Sequence, residues 1–296
     1  MQRSRLQALQ LQQVRDGLEF VLLDDRVSFA DLASMNPARS IGIAAFENTQ
    51  LDQALIQHIK QLQTIIVGSA WSANCLKNYG LHSVQVQLQG IDPALFYPGA
   101  KTNLLGDRFV IFSNSCNYVK GQDILLAAFK AFHSRHADTL LLLAGEPVEG
   151  MADDGRSDAV IALEPIAYSV LGQVLREVDV AVFPSRCEVG INPTIAASLA
   201  CGIPTILSNN TANQDLVRLN LGFSLSSQRS MQANAAYPGV EGWGESEVEE
   251  LVEVLEYIYA HPQAARNKGA IAADFMRDRT WQKITTQLIS VLNPVS

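Results

Sequence analysis

The stretch Asp179–Asn209, DVAVFPSRCEVGINPTIAASLACGIPTILSN, passes through strand, loop, short helix and strand in quick succession. Asp179–Phe183 is a buried-strand run that Pro184-Ser185-Arg186 ends. Cys187–Asn192 is a loop with a glycine at Gly190, and Pro193 suits the first turn of a helix, where a missing N–H costs nothing. Gly202 stops that helix and Pro204–Leu207 is the next strand. In an alternating β/α chain, ligands sit in the loops after the strands' carboxyl ends. A helix N-terminus there offers free N–H groups and a partial positive charge, which favour an anion such as a diphosphate.

The flanks fit an α/β chain. Leu18–Leu23 and Ser40–Phe46 are apolar runs of strand length, Leu51–Leu62 has helical spacing, Thr64–Gly68 is a buried strand, Ser69–Tyr79 a helix and Val84–Leu88 a strand. The residues up to about Arg15 have helical composition. Alternation of this kind favours a parallel sheet with helices on its faces. The turn-rich Gly90-Ile91-Asp92-Pro93 and Phe96-Tyr97-Pro98-Gly99 place a domain boundary after Pro98. Beyond it, strands are expected at Arg108–Phe112, Thr139–Ala144 and Ala159–Leu163, and helices at Gln122–His133 and Ser169–Val178. Gly145–Asp158 is expected to be loop. Ser246-Glu247-Val248-Glu249 has capping-box spacing before a further helix, and helices around Ala264–Arg277 and Thr280–Leu292 end the chain.

Composition narrows the function. With 296 residues, 48% hydrophobic and 18% charged, the chain is an ordinary globular protein of one or two domains. A formal charge of −8 and no cluster of Lys and Arg argue against a nucleic-acid surface. Cys75, Cys116, Cys187 and Cys201 have no C-x-x-C spacing, so they are expected to be free thiols with no metal site. The first residues lack the apolar run of a signal peptide, and no stretch has the length of a membrane span. The expected location is the cytoplasm, with peripheral membrane contact left open.

The opening stretch resembles the signature of the retaining glycosyltransferases of the family-4, or group 1, type, through Phe183, Pro184, Ser185, Glu188, Gly190, Ala200, Cys201, Gly202 and Pro204. Gly90, Ile91, Asp92, Phe96 and Pro98 are similar to the family's hand-over between domains, and Lys120-Gly121-Gln122-Asp123 to its K-G-x-D pattern. Phe46-Glu47-Asn48 and Ser69-Ala70-Trp71 also resemble segments of bacterial members. The resemblance implies an α/β protein of GT-B type, with two Rossmann-like parallel-sheet domains facing a cleft and the first shortened. It divides into an acceptor-side domain at 1–98, a nucleotide-sugar domain at 99–280, and a helix at 281–296 packing back toward the first domain.

It further implies transfer of a hexose from a nucleotide diphosphate sugar to a carbohydrate acceptor, with retention and with no metal or cofactor. Lys120 is then expected on the donor phosphates and Glu188 on the donor sugar, as the two catalytic residues. The backbone of Val189, Gly190, Ile191, Asn192 and Thr194 is expected to line the diphosphate, and Ile166, in Leu163-Glu164-Pro165-Ile166, to lie by the base. Read without the resemblance, Lys120 is a solvated lysine before a helix, Glu188 a surface glutamate at a helix N-terminus and Asn192 a helix cap. Ser69 or Ser72 reads equally as a cap.

Two departures stand out. Cys116 replaces a second cation, and Ala197 replaces the helix glutamate that holds the ribose in the family. Each missing charge-assisted bond is worth about 1.5–3 kcal/mol, so together they lower donor affinity by roughly a hundred- to ten-thousand-fold if nothing compensates. A glutamate restored at 197 is expected to strengthen nucleotide binding if the ribose pocket is otherwise intact. The alternative is a degenerate relative that binds a glycan or a protein without catalysis.

Overall fold

A computed structural model describes residues 19–24, 40–145 and 159–292. The helical composition before Arg15 and most of the acidic loop before Asp158 lie outside the described residues. The chain divides into two compact units, one of residues 1–87 with 233–240, the other of residues 88–232 with 241–296. The turn-rich Gly90–Gly99 segment falls in the second unit because Ile91 donates its N–H to the Arg279 carbonyl and pairs with Thr280. The last helix is likewise assigned to the second unit.

In the first unit β1 (Glu19–Asp24), β2 (Ser40–Ala45), β3 (Thr64–Val67) and β4 (Val84–Val86) lie side by side in chain order, all parallel. Helices α1 (Gln53–Ile59) and α2 (Ala70–Asn78) connect them. Asp52 caps α1 by accepting from the Ala54 and Leu55 N–H groups, and Ser69 caps α2 by accepting from the Ser72 N–H at 3.1 Å. Ser69 is therefore a helix cap. The core gathers Ala44, Phe46, Ile56, Ile65, Val67 and Leu76. Residues 233–240 complete this unit: the Thr49 N–H donates to the Gly239 carbonyl at 3.1 Å, and a Cβ on Gly239 would lie 2.1 Å from the Gln50 nitrogen. Only glycine allows that approach.

The second unit is built on a six-stranded parallel sheet in the order β10-β9-β8-β5-β6-β7. Its strands are β5 (Phe109–Ser113), β6 (Thr139–Ala144), β7 (Val160–Leu163), β8 (Val180–Phe183), β9 (Thr205–Ser208) and β10 (Phe223–Leu225). Strands are added outward one way from β5 and the other way from β8, so the winding order reverses between those two parallel strands. In an open α/β sheet the carboxyl ends at such a reversal form a ready-made crevice. Helices α3 (Gln122–His133), α4 (Tyr168–Leu175), α5 (Pro193–Ala200), α6 (Asn213–Arg218) and α7 (Val248–Ala260) cover the faces. One core lies under α5 with Phe112, Leu140, Phe183, Ile195 and Leu199; the other lies under α3 and α7 with Ile111, Phe129, Leu141, Val182 and Leu255.

A small antiparallel pair, β11 (Gln228–Ser230) and β12 (Gly244–Ser246), precedes α7; α8 (Pro262–Arg277) and α9 (Trp281–Leu292) follow it. The capping box expected at Ser246 is not formed. Ser246 ends β12 and its hydroxyl bonds Ser208 Oγ at 2.8 Å, while Glu250, one turn further on, accepts from the Ser226 and Ser227 N–H groups. Trp243 is buried, whereas Trp281 is 45% exposed.

Candidate functional site

The strands that flank the reversal carry the two residues singled out in the sequence. After β5, the turn through Asn117 brings Lys120 to the start of α3, its own N–H bonded to Asn117 Oδ1 at 2.9 Å. Gly121 then takes a left-handed φ of +71°, and a Cβ on it would lie 2.0 Å from the Pro184 carbonyl oxygen. The loop after β5 is therefore pressed against the loop after β8. Lys120 Nζ donates to Glu188 Oε2 at 2.9 Å and to the Cys187 carbonyl at 3.1 Å. The Lys120 side chain is 18% exposed and that of Glu188 5%.

The remaining oxygen of Glu188 is also engaged. Ser185 Oγ donates to Oε1 at 2.8 Å and Asn192 Nδ2 reaches it at 3.5 Å, while the Glu188 N–H donates to Thr211 Oγ1 at 2.9 Å. Glu188 is thus fixed from both ends. Asn192 Oδ1 accepts the Thr194 N–H at 2.9 Å and so caps α5, with Pro193 at the first helical position. Asn114 Nδ2 donates to Thr194 Oγ1 at 3.0 Å, which ties the loop after β5 to the first turn of the helix. Of the N–H groups expected to face an anion, that of Thr194 is already held by the cap. Val189 and Gly190 are half-buried, and the Ile191 side chain belongs to the apolar core.

Other expected residues lie apart from this group. Ile166 follows edge strand β7 and packs on the apolar cluster. Cys116 is half-buried in the loop after β5, where a Cβ on Gly145 would come within 2.8 Å of its own Cβ. Ala197 has no exposed surface and sits among Ile195, Ala196 and Leu199 in the core under α5. This reverses the expectation for a restored glutamate, because a carboxylate there would be buried without a cation. Ala197→Glu is expected to lower stability by more than about 3 kcal/mol, measured as a lower denaturant midpoint, and to leave nucleotide binding no tighter.

Arg186 carries no functional mark in the sequence beyond ending a strand. Its guanidinium is the largest fully buried side chain among the described residues. Nη1 and Nη2 each donate to Asp123 at 2.7 Å, Nε and Nη2 to Glu245 Oε2 at 2.8 and 2.5 Å, and Nη1 also to the Tyr118 carbonyl at 2.7 Å, with the Tyr118 ring 3.7 Å below the guanidinium. Its N–H donates to the Val119 carbonyl, and its carbonyl accepts from Gly244. Arg186 therefore clamps the Lys120 loop, the first turn of α3 and β12 around the loop that carries Glu188. Arg229 pairs with the other oxygen of Glu245. The nearest sequence signal was one arginine after a strand, which does not name partners 63 and 59 positions away.

Burial works to raise the Asp123 and Glu245 carboxyls, but the bonds and charges of Arg186, and of Arg229 at Glu245, override it and hold both below their ordinary values of 3.8 and 4.5. For a carboxylate depressed in the folded state, the stabilisation is present above the ordinary value and is lost as pH falls through the lowered one. Thermal melting is expected to hold level from neutrality to about pH 4.5 and then to drop. That acid slope should be shallower in Arg186→Met.

Among the described residues, no three His, Cys, Asp or Glu side chains gather as a metal ion would require, and no helix is long and apolar enough to cross a membrane. The two parallel-sheet units make this a mixed α/β protein. Residues 107–235, which carry Lys120, Arg186 and Glu188, match the family model described as Glycosyl transferases group 1. The resemblance seen in the sequence thus holds over that span.

No curated protein matches the chain by sequence. Among solved structures, a sucrose-phosphate synthase from Thermosynechococcus elongatus is 18% identical with a TM-score of 0.70, over 86% of this chain and 67% of that one. The Anabaena protein HepE, in complex with UDP, is 17% identical with a TM-score of 0.68, over 87% and 73%. A glycosyltransferase from Rickettsia africae is 13% identical with a TM-score of 0.72, over 93% and 76%. These similarities establish the fold.

Proposed function

We propose that this protein is a glycosyltransferase that moves a hexose from a nucleotide diphosphate sugar to a carbohydrate acceptor, with retention and without a metal. The observation that carries this reading is the Lys120–Glu188 pair, 2.9 Å apart, at the carboxyl ends of the two strands where the sheet reverses. Breaking a glycosidic bond to a diphosphate puts negative charge on the leaving group, and Lys120 is the cation placed to take it. Glu188, held by Ser185 and Lys120, would meet the transferred sugar. HepE was solved with UDP and with UDP-glucose, which makes uridine the first base to try.

Calorimetric titration with uridine, guanosine and adenosine diphosphate sugars tests the proposal, beside Lys120→Ala and Glu188→Ala. One donor should bind at micromolar to millimolar concentration, and Lys120→Ala should weaken it more than Glu188→Ala. Equal and negligible effects would sink the site assignment. The second reading, a non-catalytic glycan- or protein-binding relative, draws on Ala197, whose full burial leaves no carboxylate on α5 for a ribose. Folded protein that ignores every donor at millimolar concentration would favour it.

A further inference from the structure

A cavity of about 510 Å³ opens at the amino ends of the strands of the second unit, the end of the sheet opposite Lys120 and Glu188. Phe109 opens β5 there, Val178 and Asp179 precede β8, and Cys201 to Pro204 lead from α5 into β9. Phe109, Val178, Ile203 and Ile258 give it an apolar floor, and Lys101, Arg176, Arg266 and Arg277 bring four cations to it. Two of those are neutralised within the protein, Lys101 by Asp179 and Arg277 by Asp274. Asp179 accepts the Val110 N–H on the same oxygen, Oδ2, that meets Lys101.

Arg176 is different. Its guanidinium lies 4.6 Å over the Tyr97 ring, its stem runs past Gly99, and Nη1 is buried with no hydrogen-bond partner. A charged donor in that condition is costly, and such groups in native proteins ordinarily have a partner, bound ions included. The Cys201 thiol is not the missing counter-ion. Burial pushes it up to about 11, with the Arg176 charge pulling only partly against this, so it is neutral at pH 7. Arg266 bonds only the neutral Gln263 and has no ion pair among the described residues.

We propose that this cavity binds a small organic phosphomonoester, whose phosphate is held by Arg176 with Arg266 and whose body rests on the apolar floor. A guanidinium offers a planar fork that matches a phosphate bidentately, and two arginines suit a dianion. The volume lies within the range of small-molecule sites. This site is separate from the donor site, and its occupancy does not depend on the transferase reading.

The test is titration of the full chain with glycerol 3-phosphate, inorganic phosphate and succinate, followed by calorimetry and thermal melting. Glycerol 3-phosphate is expected to bind at millimolar concentration or below, to raise the melting temperature and to do so equally in Lys120→Ala, which separates this site from the donor phosphates. Arg176→Met should weaken it at least about tenfold. If Arg176→Met does not fold, Gly99→Ala serves, because a Cβ there would lie 2.4 Å from Arg176 Cδ and displace the guanidinium. Binding that is absent, or unchanged in both variants, overturns the proposal. Succinate bound in place of the phosphates overturns the phosphomonoester class, and inorganic phosphate bound as tightly as glycerol 3-phosphate overturns the role of the apolar floor.

Discussion

Lys120→Ala is expected to weaken donor binding by about tenfold to more than a hundredfold and turnover by about a hundred- to a thousand-fold. The first figure is the worth of one charge-assisted bond, about 1.5–3 kcal/mol, and the second that of one preorganised group at developing charge. The variant also leaves Glu188, 5% exposed, without its cation, so part of the loss could arise from unfolding. Removing one partner of a buried pair costs about 3–5 kcal/mol, and the bonds from Ser185 and Asn192 place this one at the lower end. Glu188→Gln separates the effects. It keeps the shape and frees the Lys120 charge, so nucleoside diphosphate should bind at least as tightly as to the parent while transfer falls. Isothermal titration with a denaturation curve on each variant checks both.

Arg186→Met carries the other large effect. It takes away five hydrogen bonds to two carboxylates and a carbonyl at a side chain that is 2% exposed. Asp123 is half-exposed and can regain water, and Glu245 keeps Arg229, so the expected loss is about 3 kcal/mol rather than the top of the buried-pair range. Because the Arg186 guanidinium also holds the Tyr118 carbonyl, the Lys120 loop should loosen and the donor KM should rise further than stability alone explains. Arg186→Lys should not rescue it, since an ammonium has no fork to span Asp123 and Glu245 together. Denaturant midpoints and initial rates over a range of donor concentrations would show it.

Much of the second sheet was legible in the sequence because its central strands are unbroken apolar runs, such as Val180–Phe183 and Thr139–Ala144, buried on both faces. The three-residue strands Gln228–Ser230 and Gly244–Ser246 were not, since their polar composition has no period and their pairing is set by partners elsewhere. Ser246 misled for the same reason: the spacing of a cap was present, but tertiary bonding to Ser208 took the hydroxyl. At the site, motif spacing found Lys120 and Glu188, and it could not show that they neutralise one another. Nor could it show that Ala197 faces the core, because a helix start of Pro193-Thr194-Ile195-Ala196 is apolar on nearly every side.

The seat of Gly239 beside Thr49 bears on how the protein can be dissected. Since residues 233–240 belong to the first unit, the chain leaves that unit after Gln87 and comes back to it much later. A single nick at residue 87 would then liberate neither half intact: the amino-terminal fragment would lack the strap that satisfies the Thr49 N–H, and the carboxyl-terminal fragment would trail it. Limited proteolysis there should yield two pieces that co-purify. Expressed separately, the fragments should regain the parent's melting behaviour only on mixing.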